Sequence, residues 1–329
     1  MPDPIRLAFL GDLMLGRGVS EELRQRPPEW FWGDTLDIVR AADAVFANLE
    51  SPITESDARW WRTWKFYRFK ADPAAVRILQ AGKVRFVSLA NNHILDFSEA
   101  GLIDTMAALD RAGIQHAGAG RNQVEAAATR IVEVRGMKVG VMAATDCLSE
   151  FAAGANRAGA NHIEFHGASP GLEWVERAVA DLRARGAALT ILSLHWGPNM
   201  RLRPSDDFRR FAHGAIDRGI DIIHGHSAHV VQAIERYGTG IVFYDTGNYI
   251  DDYWKFPFRR TVSSFVFALA LEDGRPKRLQ LTPVRLHPWP LTLADDRTRR
   301  TIVANMKSLS SAMGTTLVET PAGLELSLD

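Results

Sequence analysis

The stretch IRLAFLGDLMLGR, which runs from Ile5 to Arg17, sets the pattern from which the fold is predicted. Its apolar part ends at Leu10, which gives it the length of a short buried β-strand, and Gly11 and Asp12 follow directly. A buried carboxylate needs a hydrogen-bond partner, a counter-charge or a metal ion, because an unpaired buried charge is costly. We therefore predict a strand that carries Asp12 to a metal site, or, as the alternative, a carboxylate that caps the following helix.

Five more short segments contain residues of the same chemical kind. They are NLE, NNH, LHWG, HGHSAH and DTGN, at Asn48 to Glu50, Asn91 to His93, Leu194 to Gly197, His224 to His229 and Asp245 to Asn248. The first four of them follow a short apolar run. Because α/β proteins build their sites at strand ends, we expect these oxygen and imidazole groups to meet. Together they are able to enclose one or two divalent metal ions.

The order of apolar runs and helical patterns predicts an α/β fold. Strand-like and helix-like segments alternate in the early part of the chain, whereas the part from Thr261 onward is strand-rich, with runs at Val262 to Leu271 and Leu279 to Leu286. Alternation favours parallel pairing, and the late strands favour antiparallel pairing. We predict one α/β domain over residues 1–329 with two mixed sheets, completed by residues 255–329. One predicted helix runs from Ser98 to Ala112, with Ser98 as its N-cap.

Composition narrows the class of protein. The 329 residues are 46% hydrophobic, and 39 Lys and Arg balance 39 Asp and Glu, so no net charge points to nucleic acid or to an anionic membrane. Cys147 is the only cysteine, which excludes an intramolecular disulfide and is typical of a structural cysteine at a strand end. No apolar stretch approaches the roughly 18 residues of a membrane span. The N-terminal apolar run is too short for a signal peptide. These features predict a soluble, cytoplasmic protein.

Two carboxylates are the first candidate metal ligands. Asp12 and Glu50 each follow an apolar run, and alternation along a strand places Asn48 and Glu50 on the same side. The two oxygens of Glu50 are suited to bridging two metal ions. The alternative for Glu50 is a surface carboxylate before Pro52.

Histidines and one amide complete the candidate ligand set. His226 and His229 belong to a cluster of three histidines within six residues, for which metal binding is the default interpretation. His195 taken alone is more typical of a core or capping histidine. The amide oxygen of Asn92 is a weak ligand for hard divalent ions. A set of imidazoles, carboxylates and an amide, without thiolates, suits Mn, Zn, Fe or Co.

Other residues near these segments suggest catalysis and substrate binding. His93 follows Asn92 directly and is suited to act as a general acid or base beside the metal. The irregular insertion from Ser51 to Trp64, with the basic residues that follow it, predicts binding of an anionic or aromatic substrate. Its alternative is core packing with a solvated basic face. The segment from Ser149 to Ser169 has little periodicity and is predicted to be a long loop.

Longer motifs surround these residues in a fixed order. Between about Ile5 and Asp252 they are GDLMLGR, NLESPIT, YRFKADP, SLANNHILDF, HAGAGRN, SLHWG, GHSAHVVQAIE and FYDTGNYIDD. In these motifs the chain resembles the CapA-type proteins, which are related to poly-γ-glutamate capsule synthesis and similar to calcineurin-like metallophosphoesterases. The resemblance implies a four-layer α-β-β-α sandwich around a dinuclear metal site, with His93 as acid. It also supports six ligands: Asp12, Glu50, Asn92, His195, His226 and His229.

The chain departs from the phosphoesterase pattern in three of these motifs. Met14 stands where the Asp-x-His motif has its histidine. Asn48, Leu49 and Glu50 replace the Gly-Asp-x-x-Asp motif, and His229 comes one residue later than the second histidine of Gly-His-x-His. The departures argue against ordinary phosphatase activity.

The leading hypothesis is therefore a metal-dependent enzyme, most generally a hydrolase, whose partner is a peptide or an amide-linked polymer of the poly-γ-glutamate kind. Substrate contacts are predicted for Arg17, Asn48, Arg68, Asp245 and Asn248. A first alternative is a peptide epimerase, in which His93 and His287 exchange a Cα proton. A second is a non-catalytic subunit of capsule-polymer assembly. The sequence does not fix the oligomeric state.

Overall fold

Two facing β-sheets contain most strands of the computed structural model, which describes residues 3–165, 170–253 and 262–328. In those ranges the strands are β1 (Ile5–Leu13), β2 (Ala44–Leu49), β3 (Val84–Ser88), β4 (Gln115–Ala117), β5 (Ala119–Gly120), β6 (Arg130–Val134), β7 (Met137–Thr145), β8 (Gly159–Ala160), β9 (Leu189–His195), β10 (Ile222–His226), β11 (Ile234–Tyr237), β12 (Gly240–Phe243), β13 (Asn248–Ile250), β14 (Ser263–Glu272), β15 (Arg275–Arg285), β16 (Thr292–Leu293), β17 (Val318–Thr320) and β18 (Gly323–Ser327). The α-helices are α1 (Gly18–Leu23), α2 (Pro28–Trp32), α3 (Leu36–Arg40), α4 (Val76–Ala81), α5 (Ser98–Arg111), α6 (Gln123–Ala126), α7 (Pro170–Ala184), α8 (Asp206–Ile216) and α9 (Asp296–Ser311).

The first sheet has the strand order β17-β18-β15-β14-β1-β2-β3-β4, with β13 beside β1 and β16 beside β15. Strands β1 to β4 pair in parallel, whereas β14, β15, β18 and β17 pair antiparallel. This arrangement confirms the predicted change from parallel to antiparallel pairing. The strand-rich C-terminal part joins the first sheet directly, because β14 pairs with β1.

The second sheet has the order β11-β12-β10-β9-β7-β6. Its four central strands are parallel, and β6 and β11 pair antiparallel at its two edges. A separate two-stranded sheet pairs β5 with β8. Both large sheets are therefore mixed, as predicted.

Three apolar layers hold the sheets and helices together. Alternation along β1 sends Phe9 into the core between the sheets and Leu10 toward the helices outside the first sheet. Along β9, Ile191 enters the same central core, whereas Leu192 packs toward α7 and α8. A fully buried side chain such as Phe9 contributes roughly 1.5–3 kcal/mol to folding. Helices thus cover the outer face of each sheet, which confirms the four-layer α-β-β-α sandwich.

Several element boundaries differ from those predicted. β1 continues to Leu13, so Asp12 lies inside the strand rather than beyond its end. Helix α5 begins at Ser98, but Phe97 occupies the N-cap position, no side chain caps the helix, and Ser98 has a φ of 57°. The prediction of Ser98 as N-cap was therefore wrong. In the predicted loop after Ser149, strand β8 and a short 3-10 helix are present, and its residues 166–169 lie outside the described ranges.

Helix length also bears on membrane insertion. Among the residues that the structure describes, no helix has both the length and the apolar character needed to cross a bilayer.

Gly11 permits the close approach of β1 to the DTGN segment. A Cβ atom at this position would lie 1.8 Å from the carbonyl oxygen of Gly247, and Asp12 N donates to the same oxygen at 2.8 Å. We expect Gly11→Ala to destabilise the protein by roughly 3 kcal/mol, the upper range for overpacked sites, which urea unfolding measures. The matched control is Gly154→Ala, whose Cβ meets no atom closer than 3.5 Å. Equal unfolding midpoints for the two variants would contradict this prediction.

Candidate metal centre

The carboxyl ends of parallel strands in both sheets bring the candidate ligands together. In the first sheet, Asp12 pairs in register with Asn48 of β2 and with Asn248 of β13. In the second sheet, His195 at the end of β9 pairs with His226 at the end of β10. Because the two sheets face each other, residues from both reach one buried place. This is the meeting of strand-end residues that the sequence predicts.

Two groups of possible donor atoms overlap at Asp12. One group contains Asp12, His195 and His226, and the other contains Asp12, Glu50 and His229. In each group the donor atoms lie within 4.8 Å of one another. Asp12 belongs to both groups, whereas Glu50, for which the sequence predicts a bridging role, belongs to one of them.

The contacts within these groups are short. His195 Nδ1 and His226 Nδ1 lie 2.9 Å apart, and His229 Nδ1 lies 3.2 Å from Asp12 Oδ2. Glu50 Oε1 lies 3.7 Å from His229 Nε2 and 4.0 Å from His195 Nε2. The five side chains therefore point at a common volume.

The chemistry of the donors fits a divalent cation. Asp12 Oδ2 and Glu50 Oε1 are buried, and the positive charge that faces them is His229, whose nitrogens lie 3.2 Å and 3.7 Å from these two oxygens. Burial, and then the like charge of Asp12, raises the pKa of Glu50 well above its usual range. An added cation would relieve both penalties. A site of two carboxylates and three imidazoles is suited to Mn, Zn, Fe or Co.

The histidines divide into two electrostatic classes. Burial, followed by the neighbouring histidines, lowers the pKa of His195 and of His226 well below the usual range. They are therefore neutral at pH 7, which is the form that binds a metal ion. Burial also acts to lower the pKa of His229, but the carboxylates of Glu50 and Asp12 outweigh it and raise this pKa to about 10.

Neighbouring polar groups orient the donors. Asn48 Nδ2 donates to Asp12 Oδ1 at 2.8 Å, and Asn91 Nδ2 donates to Asn48 Oδ1 at 3.0 Å. Ser193 Oγ lies 3.0 Å from His226 Nε2, which leaves Nδ1 of His226 for the site. Such supports fix the direction of a ligand. Asn48 is completely buried and its amide contacts both Asp12 and Asn91, and its contact with substrate stays a prediction.

The loop that carries His229 is held in an unusual backbone conformation. Ser227 has a φ of 116° and His229 a φ of 59°, values that side-chain-bearing residues adopt rarely and that often occur at functional sites. The Asp245 carboxylate accepts hydrogen bonds from Ala228 N and Gly247 N, each at 2.7 Å. Both oxygens of Asp245 therefore contact the backbone of this loop, and its predicted contact with substrate stays a prediction.

Three further polar residues, Asn248, Asp245 and His224, lie near this loop. Asn248 Oδ1 lies 2.9 Å from His229 Nδ1, and the predicted substrate contact of Asn248 stays a prediction. Burial, and then the charge of Asp12, raises the pKa of Asp245 to about 8. His224, the third histidine of the cluster, contacts the carbonyl oxygen of Leu10 at 2.9 Å and belongs to neither donor group.

Asn92 and His93 lie beside the donor groups. Asn92 Oδ1 is 3.1 Å from His195 Nε2, which places it at the edge of the cluster. His93 Nδ1 is 2.6 Å from Asp96 Oδ2, and its ring stacks on Phe69 with 4.0 Å between centroids. Burial lowers the pKa of His93 to about 4, so the ring is neutral at pH 7. With Nδ1–H held by Asp96, Nε2 is the nitrogen that remains to accept a proton.

The structure also locates the remaining predicted residues. Arg17 forms an ion pair with Asp252, and its guanidinium carbon lies 4.6 Å from the Phe69 ring, beside His93. Arg68 donates to the carbonyl oxygen of Trp60, a residue of the predicted insertion, at 3.3 Å, and its contact with substrate stays a prediction.

His287 lies apart from the metal donors. Its Nε2 is 2.9 Å from Asp251 Oδ1, and it belongs to neither donor group. Its catalytic role stays a prediction.

The residues predicted as an irregular insertion after Ser51, and the basic residues that follow them, are divided between the core and the surface. Trp60 packs in the core, whereas Trp61 and Trp64 are 78% and 82% exposed. Lys65 is largely buried and forms an ion pair with Asp96, so it is not part of a solvated basic face. Cys147 is half-buried, and burial, then Asp146, raises its pKa to about 12, which fits the structural role predicted for it.

Sequence reasoning missed two residues that touch the site. The Tyr253 hydroxyl donates to Glu50 Oε2 at 3.2 Å, and its ring lies 5.2 Å from that of His229. Asp96 holds the ring of His93 through Nδ1. Both had a sequence signal, since Tyr253 follows the FYDTGNYIDD motif and Asp96 lies within SLANNHILDF.

Two facing mixed sheets, covered by helices and with a histidine and carboxylate cluster at their strand ends, define a four-layer α/β protein. The chain belongs to the family described as "Bacterial capsule synthesis protein PGA_cap", whose profile matches residues 6–253. This match confirms the CapA-type resemblance.

Two curated relatives and one solved structure illustrate the similarity. A "Probable polyglutamine synthesis accessory protein" of Mycobacterium tuberculosis H37Rv is 31% identical, over 98% of this chain and 96% of the relative. The "Capsule biosynthesis protein CapA" of Bacillus anthracis is 28% identical, over 90% of this chain and 72% of the relative. A crystal structure of a hypothetical protein from Thermus thermophilus has a TM-score of 0.50 and 17% identity, covering 85% of this chain and 98% of that one. This last likeness concerns the fold alone.

Proposed function

We propose that this protein is a metal-dependent enzyme that hydrolyses a peptide or another amide-linked substrate. The observation that carries the proposal is the sharing of Asp12 between two groups of buried donors, beside a histidine whose Nδ1 is held by a carboxylate. A metal site with a purely structural role needs no such histidine, whereas amide cleavage needs a group that transfers a proton. The names of the relatives, which mention polyglutamine synthesis and capsule biosynthesis, support an amide-linked polymer of the poly-γ-glutamate kind as substrate.

Six side chains are proposed to hold the metal, as one or two ions. They are Asp12, Glu50, Asn92, His195, His226 and His229. A bound ion supplies Lewis acidity toward a carbonyl oxygen and makes water a stronger nucleophile. The two buried carboxyl groups that face His229 support this assignment, because a metal ion would replace the proton of His229 as their counter-charge.

The protein's own groups account for the proton transfers. His93 takes a proton at Nε2 from the attacking water while the new C–O bond forms, and Asp96 stabilises the resulting imidazolium. His93 then returns the proton to the nitrogen that leaves when the C–N bond breaks. Arg17, 4.6 Å from the Phe69 ring that covers His93, is proposed to orient a carbonyl or carboxylate group of the substrate.

A second candidate, epimerisation, has one observation in its favour. His287 forms a second histidine–carboxylate pair, with Asp251, and Asp251 lies close enough to Glu50 to raise its pKa. Two such pairs are what the removal and return of a Cα proton from opposite sides requires.

One experiment separates the two reactions. Protein loaded with Mn²⁺ or Zn²⁺ is incubated in heavy water with poly-γ-glutamate oligomers and with α-linked peptides, and the products are followed by mass spectrometry. Hydrolysis predicts shorter chains without Cα deuterium, whereas epimerisation predicts Cα deuterium in uncleaved chains. Chelator-treated protein serves as the control. If the metal-loaded protein causes neither change in any of these substrates, an accessory role without catalysis is favoured instead.

A further inference from the structure

The segment from Trp60 to Phe69 overlaps the end of the predicted irregular insertion, and we call it the aromatic insertion. It contacts the loop that carries His93. It presents Trp61 and Trp64 to solvent, yet the side chains at its two ends, Trp60 and Phe69, are buried. It has no helix or strand of its own, so its position depends on contacts made by its side chains and by single backbone groups.

Asp96 is the anchor of the aromatic insertion. Its carbonyl oxygen accepts a hydrogen bond from Trp60 N at 3.0 Å, and its Oδ2 accepts one from Phe69 N at 2.7 Å. The same Oδ2 lies 2.6 Å from His93 Nδ1. One completely buried residue therefore holds both ends of the insertion, through its backbone carbonyl group at Trp60 and its carboxylate at Phe69, and the same carboxylate contacts the ring of His93.

Lys65 joins the middle of the insertion to the same loop. Its ammonium group donates to Asp96 Oδ1 and to the carbonyl oxygen of Asn92, and it lies 3.2 Å from His93 Nδ1. It also lies 5.0 Å from the centre of the Phe151 ring. Burying an ammonium group is unfavourable unless its hydrogen-bonding capacity is used, and here all of these contacts are with the loop of residues 91–96 or with an aromatic face.

We propose that Lys65 is a positioning residue, which sets Asp96 and the backbone of Asn92 so that His93 and the Asn92 side chain stay in place. The position of the aromatic insertion and metal binding are then coupled. A ligand that stabilises the insertion in this position raises the metal affinity, and metal binding raises the affinity for that ligand by the same factor. A substrate packed against Trp61 and Trp64 would act through this link. The inference rests on the proposed function only for the catalytic role of His93, since the contacts of Lys65 with Asp96 and Asn92 are observed in the structure.

Hydrogen exchange measured by mass spectrometry, with Mn²⁺ titration by calorimetry, tests the proposal on Lys65→Met. We expect faster exchange in residues 60–69 and 91–96, together with a roughly tenfold weaker Mn²⁺ affinity, the loss typical when a group that supports a ligand is removed. Lys65→Arg keeps the charge and should give intermediate values. Lys70→Met is the matched control, because Lys70 directly follows the aromatic insertion in sequence but pairs with the exposed Asp57. This variant should leave both measurements unchanged.

Unchanged exchange in residues 91–96 of Lys65→Met would overturn the proposal, as would faster exchange throughout the protein with unchanged Mn²⁺ affinity. If Lys65→Met does not fold, Lys65→Arg decides, because a guanidinium group cannot place one nitrogen against both Asp96 and the Asn92 carbonyl oxygen. Should the wild-type protein bind no Mn²⁺, the metal-dependent function fails, while the exchange measurement still decides the role of Lys65.

Discussion

Asp12→Asn is expected to remove most of the metal affinity of this protein. The substitution keeps the size of the side chain and an oxygen for the hydrogen bond from Asn48, but it deletes the negative charge that both donor groups share. Changes in groups that only support a ligand already cost about 10–100-fold in metal affinity. We therefore expect the affinities for Mn²⁺ and for Zn²⁺ each to fall by at least about 100-fold. Calorimetric titration with Mn²⁺ and Zn²⁺, with metal content measured after dialysis, provides the test.

A second readout uses stability. Because a ligand that binds only the folded state stabilises it, excess metal should raise the melting temperature of the wild-type protein but not that of Asp12→Asn. The control is Asp57→Asn, which changes an exposed carboxylate that pairs with Lys70 on the surface. Wild-type affinity in Asp12→Asn would show that Asp12 is not the shared ligand, whereas the absence of metal from the wild-type protein would refute the metal site altogether.

The strands and most of the site were predictable because their signals are local. Each strand that delivers a donor is a short apolar run closed by a polar residue, as in Leu7 to Asp12, and burial on both faces requires such a run. The neighbours in space of Asp12, His195 and His226 follow from strand order and register. The alternation of strands and helices predicts parallel pairing, which the structure confirms, but it does not predict the order of the strands.

Residue roles that depend on hydrogen-bond partners were not predictable in this way. Sequence identifies Asn48 and Asp245 as polar groups at strand ends, but not that each already uses its polar atoms inside the protein. The contact between His229 and Asp12 lies in a loop where His229 has a positive φ, a conformation that the sequence does not reveal. Lys65 reaches Asp96 from an irregular segment, and such segments have no periodicity from which a contact is deduced.

His93→Gln is expected to reduce the rate of the proposed reaction by about 10²–10⁴-fold, the usual contribution of a general acid or base. Glutamine preserves much of the shape of the side chain and its burial against Phe69, but it has no nitrogen that accepts and returns a proton. Because His93 belongs to neither donor group, metal content should stay at the wild-type level. The measurements are kcat on the substrate that the heavy-water assay identifies, and metal content by mass spectrometry.

His116→Gln is the matched control for that variant. His116 is also buried and bonded to a carboxylate, with Nε2 3.1 Å from Asp110 Oδ1, but it lies on β4 outside both donor groups. It should leave kcat unchanged, so that a loss confined to His93→Gln reports proton transfer rather than general damage to a buried histidine. His287→Gln adds a further distinction, since it should impair epimerisation severely and hydrolysis little. Full biological function of His93→Gln in the producing cell would instead favour a non-catalytic subunit, because assembly needs the surface of the protein and not a proton acceptor at Nε2.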